Sequence, residues 1–515
     1  MGVLHWFESR RYREYAWLSA AFVVSRLVLH FAGLRMHLEL DWMFLADPGD
    51  LRGRLLETVV HFHAFPPGMN LLTGVLSKLA PDHLESLTRT LFLVAGLVLA
   101  NALYYLCRRV LSRRPALAVT LAFCAIPQCL FFEHLYLYTE LAACLLCLSC
   151  ALFHDASRRG TWASWVGLFL VCAAIGWLRS TFHLLWFVAV VALAAWFNPA
   201  QRRRIALAAF GPFLLLSALY LKNWAIFGAF ASSTWFGGNL SQVTVARMPK
   251  AEREAWQRDG KLSAYAGIST FAGPERYAPF FREQRLDGMP DTVNRLDRPS
   301  VGAPNYNHWW LREVNRARQR DAFTCMREQP LGYLENVASG MAAMFSPSTT
   351  WHPVKGDKNP HADHRRVLGG YENLYNGLVH EVFLAPVGFY AFLPLVLGLA
   401  LWKAARWGRG ARGRVAARVS TIRFASFQVL YVVAVSSLVT YGEASRFRYQ
   451  IEPLIWFVAT AAAVALGRPK NWERRFRAWR SAQRSEVLAR PDHDHHGQPR
   501  NGRSGEAGAA CSQKA

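Results

Sequence analysis

The chain has 515 residues, of which 52% are hydrophobic and 13% aromatic, with a formal net charge of +24. Its basic residues fall in short blocks between apolar stretches of bilayer-spanning length, which argues against a nucleic-acid binder and for a polytopic membrane protein. Of nine cysteines only Cys325 lies in a large polar loop, so a disulfide framework is not expected.

The N-terminal stretch MGVLHWFESRRYREYAW lacks the ordered regions of a cleaved signal peptide, so the first apolar window, 15–34, is expected to stay as an anchor. A polar loop, 35–87, follows. Within it HAFPPGMNLL suits a helix start at the prolines, and MNLLTGVLSKLA has helical apolar spacing but is too short to cross, which predicts an interfacial helix roofing a site. Further windows at 88–106, 116–132, 140–153, 162–178, 181–197, 205–221, 379–402, 424–440 and 451–467 bring the predicted spans to ten.

Basic clusters set the direction. Arg10, Arg11 and Arg13, then Arg108, Arg109, Arg113 and Arg114, then Arg158 and Arg159, then Arg202 to Arg204, then the acid-free stretch from Lys403 to Arg423, and the tail after Arg468 all fall on one side if every span is real. By the positive-inside rule both termini are then expected in the cytoplasm of an inner-membrane protein. The expected organisation is a membrane module over 1–222, an extracytoplasmic domain over 223–378, a second membrane module over 379–468, and a disordered basic tail over 469–515.

Some clusters carry little. Cys144, Cys147 and Cys150 share a helix face and read as small hydrophobes. DHDHH at 492–496, and His352, His361, Asp363 and His364, read as solvated loop residues.

The informative polar groups sit at span ends on the opposite side from the basic clusters. They are Glu39 and Asp41 with Asp47 and Asp50; Glu133, His134, Tyr136, Tyr138 and Glu140; Arg179 and His183; Lys222; and Glu443, Arg446 and Arg448. An ionisable group at membrane depth costs about 2.5–3.5 kcal/mol on insertion scales, so such groups pair or line a polar cavity. Carboxylates and arginines together, rimmed by aromatics, suit transfer from a lipid-linked phosphate donor to a hydroxyl or amine. The arginines hold the leaving phosphate and a carboxylate takes the acceptor's proton.

These patches together resemble a GT-C-fold glycosyltransferase, similar to the protein O-mannosyltransferases and the lipid A aminoarabinose transferases. The resemblance matches Glu39 and Asp41 to the family's acidic pair after span one, and His63, Pro66 and Pro67 to its His and Pro-Pro before an interfacial helix. It matches Glu140 to the acid opening span four and Arg179 to the arginine after span five. LKNWAIFGAFASSTWFGGNL is similar to the family's pattern after span seven, and SRFRYQIEP to its terminal turn, with Arg448, Tyr449 and Pro453 in register. Two departures stand out: Asp41 is followed by Trp42 rather than a second acid, and His63 stands apart from Pro66.

The resemblance implies an all-α fold of about ten spans with a large extracytoplasmic domain, and an inverting transfer from a polyprenyl-phosphate sugar donor to a glycan, lipid or protein acceptor. In that reading Asp41 is the general base. Glu39 orients it or binds a divalent cation with it, the one cofactor expected. Arg179, Lys222, Arg446 and Arg448 neutralise the phosphate, with Tyr449 beside them, while Glu140 and His63 position substrates. The rivals are a lipid or polysaccharide transporter or flippase, which would place its ionisable groups at the bilayer midplane, a polysaccharide polymerase or ligase, and a non-catalytic scaffold.

Overall fold

The computed structural model describes residues 13–36, 38–283, 285–345, 362–382, 393–408, 413–441 and 444–466. The predicted tail, Glu443 and the histidines His352 and His361 lie outside them.

In chain order the helices are α1 (Arg13–Phe31), α2 (Pro48–Gly53), α3 (Leu55–His61), α4 (Gly68–Leu79), α5 (Leu84–Cys107), α6 (Arg113–Ala125), α7 (Pro127–Phe132), α8 (Tyr138–Arg159), α9 (Trp162–Leu178), α10 (Leu184–Phe197) and α11 (Arg202–Phe227). The loop domain contributes α12 (Phe236–Val243), α13 (Lys250–Arg258), α14 (Asp291–Asn294), α15 (Trp309–Glu328) and α16 (Pro330–Phe345). They are followed by α17 (Ala362–Val382), α18 (Leu393–Gly408), α19 (Gly413–Val439) and α20 (Ala444–Leu466). The sole β structure among the described residues is an antiparallel pair, Asp297–Arg298 with Ala303–Pro304.

The stretches Pro81–Cys107, Tyr138–Arg159, Pro199–Phe227 and Gly413–Val439 are each helical, long and apolar enough to cross a membrane, and α9 and α10 are shorter apolar helices. The chain is an all-helical, multi-pass membrane protein.

Local chemistry explains the boundaries. The Asp47 carboxylate caps α2 by accepting from Gly49 N and Asp50 N, Thr161 caps α9, and the rings of His183 and His308 cap α10 and α15. Helices α8 and α11 end on Gly160 (φ 66°) and Gly228 (φ 65°), in the left-handed conformation that glycine adopts without a Cβ clash. The Pro-Pro signal holds, since α4 begins directly after Pro67.

The window 116–132 behaves differently, dividing into α6 and α7 at Ile126 (φ −62°, ψ 142°). Proline disfavours helical backbone at the residue before it and lacks an N–H, so Pro127 starts a new helix. Helix α17 also starts inside the polar segment 223–378 and runs into the predicted window 379–402.

Helix α8 is central, packing against α5, α9 and α19. Its buried face is built of small side chains, among them Ala142, Ala143, Cys147, Ser149 and Cys150. Small residues let helices approach closely where lipid is as apolar as the protein interior and packing must hold them together. The Phe153 ring stacks on Phe424 of α19 at 4.3 Å between centroids.

The loop segment has an aromatic core around Trp235, Tyr277, Trp309 and Trp310, which Phe227 of α11 shares and against which Met43 and Phe65 of the first loop pack. Arg298, 1% exposed, fastens this domain to the first loop by donating to the carbonyls of Leu40, Asp41, Trp42 and Leu45. Beside it Ser300 binds the Asp47 carboxylate through N (2.8 Å) and Oγ (2.7 Å), and Arg295 pairs with Asp50 at 2.6 Å.

Candidate active site

A cavity of about 480 Å³ opens where the first loop, the loop domain and the ends of the apolar helices meet. Trp42, Phe44, Phe65 and Met69 form one wall, and Trp235, Phe236, Asn239 and Gln242 another. The rest is built from Tyr138, the turn Arg179–Thr181, His183, Tyr220, the end of α19 and the first turn of α20 with Arg446 and Phe447. Among the described lining residues two are arginines and none is Asp or Glu.

The arginines come from separate turns and are brought together by rings. The Arg179 guanidinium lies 3.9 Å from the Phe447 centroid and 5.0 Å from that of Tyr138. Arg446 stands 5.4 Å from Tyr138 and 5.7 Å from Phe447. Both are buried, at 6% and 7% exposure. Aromatic faces attract guanidinium groups, and here they hold both at the cavity lining. Arg179 Nε also donates to Thr181 Oγ1 (3.1 Å), which fixes the turn.

Glu39 and Asp41 are not among the residues that line the cavity; they precede the lining residue Trp42 in the strap whose carbonyls Arg298 holds. Asp41 is exposed and Glu39 half-buried. Burial, and then the neighbouring Asp41 charge, push Glu39 up to about 7. Its Oε1 is buried with no hydrogen-bond partner among the described residues. No cluster of three or more His, Cys, Asp and Glu that could hold a metal exists among them. A hard cation bound here would thus take two protein carboxylates and draw its other ligands from substrate oxygens and water, a donor set that suits Mg²⁺.

His63 and Lys222 form the floor behind the strap. His63 is fully buried, with Nδ1 2.8 Å from Thr234 Oγ1, its ring against Phe227, and Nε2 without a hydrogen-bond partner among the described residues. Burial, then the charges of Lys222 and Arg312, lower it to about 3, so the ring is neutral at working pH. Lys222 Nζ donates to the Phe62 carbonyl at 2.5 Å. Together they tie the backbone of 62–65 to α11 and to the segment 231–235, where Thr234 N donates to His63 O (3.0 Å).

Glu140, Arg448 and Tyr449 lie in the helical core, away from the cavity lining. The Tyr449 hydroxyl donates to Glu140 Oε2 at 2.7 Å and its ring stacks on Phe132. Arg448, 1% exposed, pairs with Glu452 at 3.3 Å and donates to the Met344 carbonyl. Nearby, Arg26 binds Glu133 through two donors at 2.6 and 2.7 Å. Tyr449 and Glu140 thus join α20 to α8, Arg26 and Glu133 join α1 to the end of α7, and Arg448 and Glu452 form a buried ion pair within α20.

Arg298, Asn239 and Gln242 carry no signal of their own in the sequence. WFGGNL marks a patch but not which face of a helix it builds, and a lone arginine in LDRPS reads as one more loop charge.

No family model matches the sequence, and no curated protein matches it. Among solved structures the chain is similar to the apo oligosaccharyltransferase of Archaeoglobus fulgidus, at TM-score 0.40 and 12% identity, covering 93% of this chain and 53% of that one. It is also similar to ArnT from Cupriavidus metallidurans bound to undecaprenyl phosphate, at TM-score 0.29 and 14% identity, covering 87% of this chain and 78% of that one. The chain spans about half the length of the oligosaccharyltransferase, and likeness at these scores carries no inference about activity.

Proposed function

We propose that the protein is an integral-membrane glycosyltransferase of the GT-C type, moving a sugar from a polyprenyl-phosphate donor to an extracytoplasmic acceptor. The observation that carries this reading is the pairing of Arg179 and Arg446 on one wall of an aromatic cavity at the ends of apolar helices. Such a wall suits a phosphate whose prenyl chain lies in lipid beside it, because guanidinium forks match phosphate oxygens.

In this mechanism Asp41 accepts the proton of the acceptor hydroxyl. The acceptor oxygen attacks the anomeric carbon, the bond from that carbon to the phosphate oxygen breaks, and polyprenyl phosphate leaves with the bonding pair, held by Arg179 and Arg446. Attack opposite the leaving group inverts the anomeric centre. Arg298 holds the backbone of Asp41 in place, and Glu39, half-buried two residues before it, orients it. Were a divalent cation bound, Glu39 and Asp41 would hold it, and it would supply positive charge to the phosphate. His63 and Lys222 fix the strap. Arg448, Tyr449 and Glu140 hold α20 in the rotation that aims Arg446 at the cavity.

The test is reconstitution in vesicles with radiolabelled polyprenyl-phosphate sugars and detergent-extracted envelope acceptors, comparing wild type with Asp41→Asn. Release of polyprenyl phosphate by the wild type and at least a hundredfold less by the variant is expected, about the size of a lost general base. Equal release by both rejects the assignment of Asp41.

A further inference from the structure

The arginines at the end of the helices opposite the cavity are of two kinds. Arg114 and Arg203 stand exposed, as basic residues that only mark the polar side of a membrane do. Arg109, in the turn after α5, and Arg418, in the second turn of α19, are half-buried instead.

Contacts around His154 of α8 bring these two to one place. The Arg109 guanidinium lies 3.8 Å from the Tyr105 centroid, and His154 meets the same ring edge-on at 5.8 Å. His154 Nδ1 stands 3.0 Å from Thr421 Oγ1 of α19, and the Thr421 hydroxyl donates to the Ala417 carbonyl at 2.7 Å, so the imidazole is the donor between them. Arg158 follows His154 by one helical turn, and Arg418 precedes Thr421 by three residues on the same face of α19. The charges of Arg109, Arg158 and Arg418 all act on His154, and the largest charge effect on Arg418 comes from Arg109.

The carboxylates nearby are already shared. Asp155 pairs with Arg158 at 3.8 Å and with Arg159 at 2.8 Å, and Glu14 pairs with Arg108 at 3.9 Å and Arg113 at 3.0 Å. No carboxylate pairs with Arg109 or Arg418 among the described residues, and the Nε of Arg109 is buried with no hydrogen-bond partner among them. The sequence from Lys403 to Arg423 contains no acid. Burial pushes Arg109 below its ordinary value, and the Arg158 and Arg108 charges add to that against the attraction of Tyr105 and Tyr15. Two guanidinium groups thus sit partly withdrawn from water among like charges, which costs free energy unless an anion joins them. Trp17 on α1 and Trp162 at the start of α9 are exposed at this same end, where indole rings settle at headgroup depth.

We propose that Arg109 and Arg418, where α5, α8 and α19 meet, form a binding site for the phosphate of an anionic lipid headgroup. Guanidinium forks match phosphate oxygens, and a headgroup without an amine of its own leaves that phosphate unneutralised. The site lies at the far end of the helices from the cavity and does not depend on the glycosyltransferase reading.

The test measures the thermal midpoint of the full chain in nanodiscs of phosphatidylcholine alone and with increasing phosphatidylglycerol. Wild type is compared with Arg109→Gln, Arg418→Gln and the exposed control Arg114→Gln. Phosphatidylglycerol is expected to raise the midpoint of the wild type and of the control alike. In Arg109→Gln and Arg418→Gln the amount needed for half the shift is expected to rise about tenfold, a difference equivalent to about 1.4 kcal/mol. In phosphatidylcholine alone these variants are expected to match or exceed the wild type, because a like-charge neighbour is gone. Variants that lose the same stability in both lipids mark structural arginines and overturn the proposal, as does a control that loses the shift with them. A wild type that does not respond to phosphatidylglycerol overturns it whatever the variants do. Glycerol 3-phosphate added to phosphatidylcholine discs is expected to leave the midpoint unchanged; if it reproduces the full shift, the ligand is a soluble phosphate and the lipid assignment is overturned.

Discussion

The guanidinium of Arg179 stands 3.9 Å from the ring centroid of Phe447, joining the turn after α9 to the first turn of α20 at the cavity wall. One residue before Phe447 is Arg446, so the same contact sets two positive charges side by side. Under the proposed function, substituting either arginine would remove one ligand of the donor phosphate. Arg179→Ala and Arg446→Ala are each expected to weaken polyprenyl phosphate binding by about tenfold or more, as loss of a charge-assisted hydrogen bond would. Equilibrium binding to labelled polyprenyl phosphate in nanodiscs measures it.

Arg448 should behave differently. It pairs with Glu452 where both are nearly inaccessible, at 1% and 2% exposure, so Arg448→Ala strands a buried carboxylate. The expected outcome is a loss of about 3–5 kcal/mol in stability, read as a lowered thermal midpoint, with donor affinity in the surviving folded fraction close to that of wild type.

The strap carrying Asp41 depends on one buried side chain. Arg298→Ala leaves the carbonyls of Leu40, Asp41, Trp42 and Leu45 without their donor, at a cost of at least about 1–3 kcal/mol. Limited proteolysis is expected to cut near residue 41 in the variant and not in wild type, and kcat to fall more than donor affinity.

Seating of α12 is tested by Gly237→Ala, whose Cβ must displace the Asn315 backbone. A penalty of about 1–3 kcal/mol is expected for overpacking. Gly267→Ala, where a Cβ meets nothing nearer than 3.5 Å, serves as the neutral control. Thermal unfolding of the two proteins compares them directly.

His63 makes stability depend on pH. Its folded-state pKa, about 3, lies below the ordinary 6.5, so between those values the unfolded chain binds a proton that the folded protein refuses. Stability therefore rises with pH across that window and is lost on acidification from about 6.5 toward 3. Glu39 works in the opposite sense, since its pKa is raised to about 7 from 4.5 and the folded state keeps its proton longer. Its contribution is fully present below about 4.5 and lost as pH rises through 7. Thermal midpoints measured from pH 4 to 8 should lose part of their acid limb in His63→Asn and part of their alkaline decline in Glu39→Gln.

Much of the architecture is legible in the residues. Alternating apolar runs and arginine blocks specify a multi-pass helical protein because length and hydropathy are local properties. Pro66 and Pro67 start α4 for an equally local reason. The division of the window 116–132 is also written locally, at Pro127, but apolar content hides it, because hydropathy averages over a break in the backbone.

Arg179, Arg446 and the acids of the first loop could be named from the sequence because each is a polar group at the end of an apolar run. Which of them meet is another matter. Arg446 and Arg448 are two residues apart on α20, and a helix turns about 100° per residue, so their side chains leave on nearly opposite sides. The sequence offers both to the same site. Only the packing of α20 against α8, through Tyr449 and Glu140, decides that Arg446 faces the cavity while Arg448 enters the core to meet Glu452. Helical rotation is set by long-range contacts: the i,i+4 spacing of Arg448 and Glu452 in SRFRYQIEP permits their pairing but does not say which face of the helix is buried.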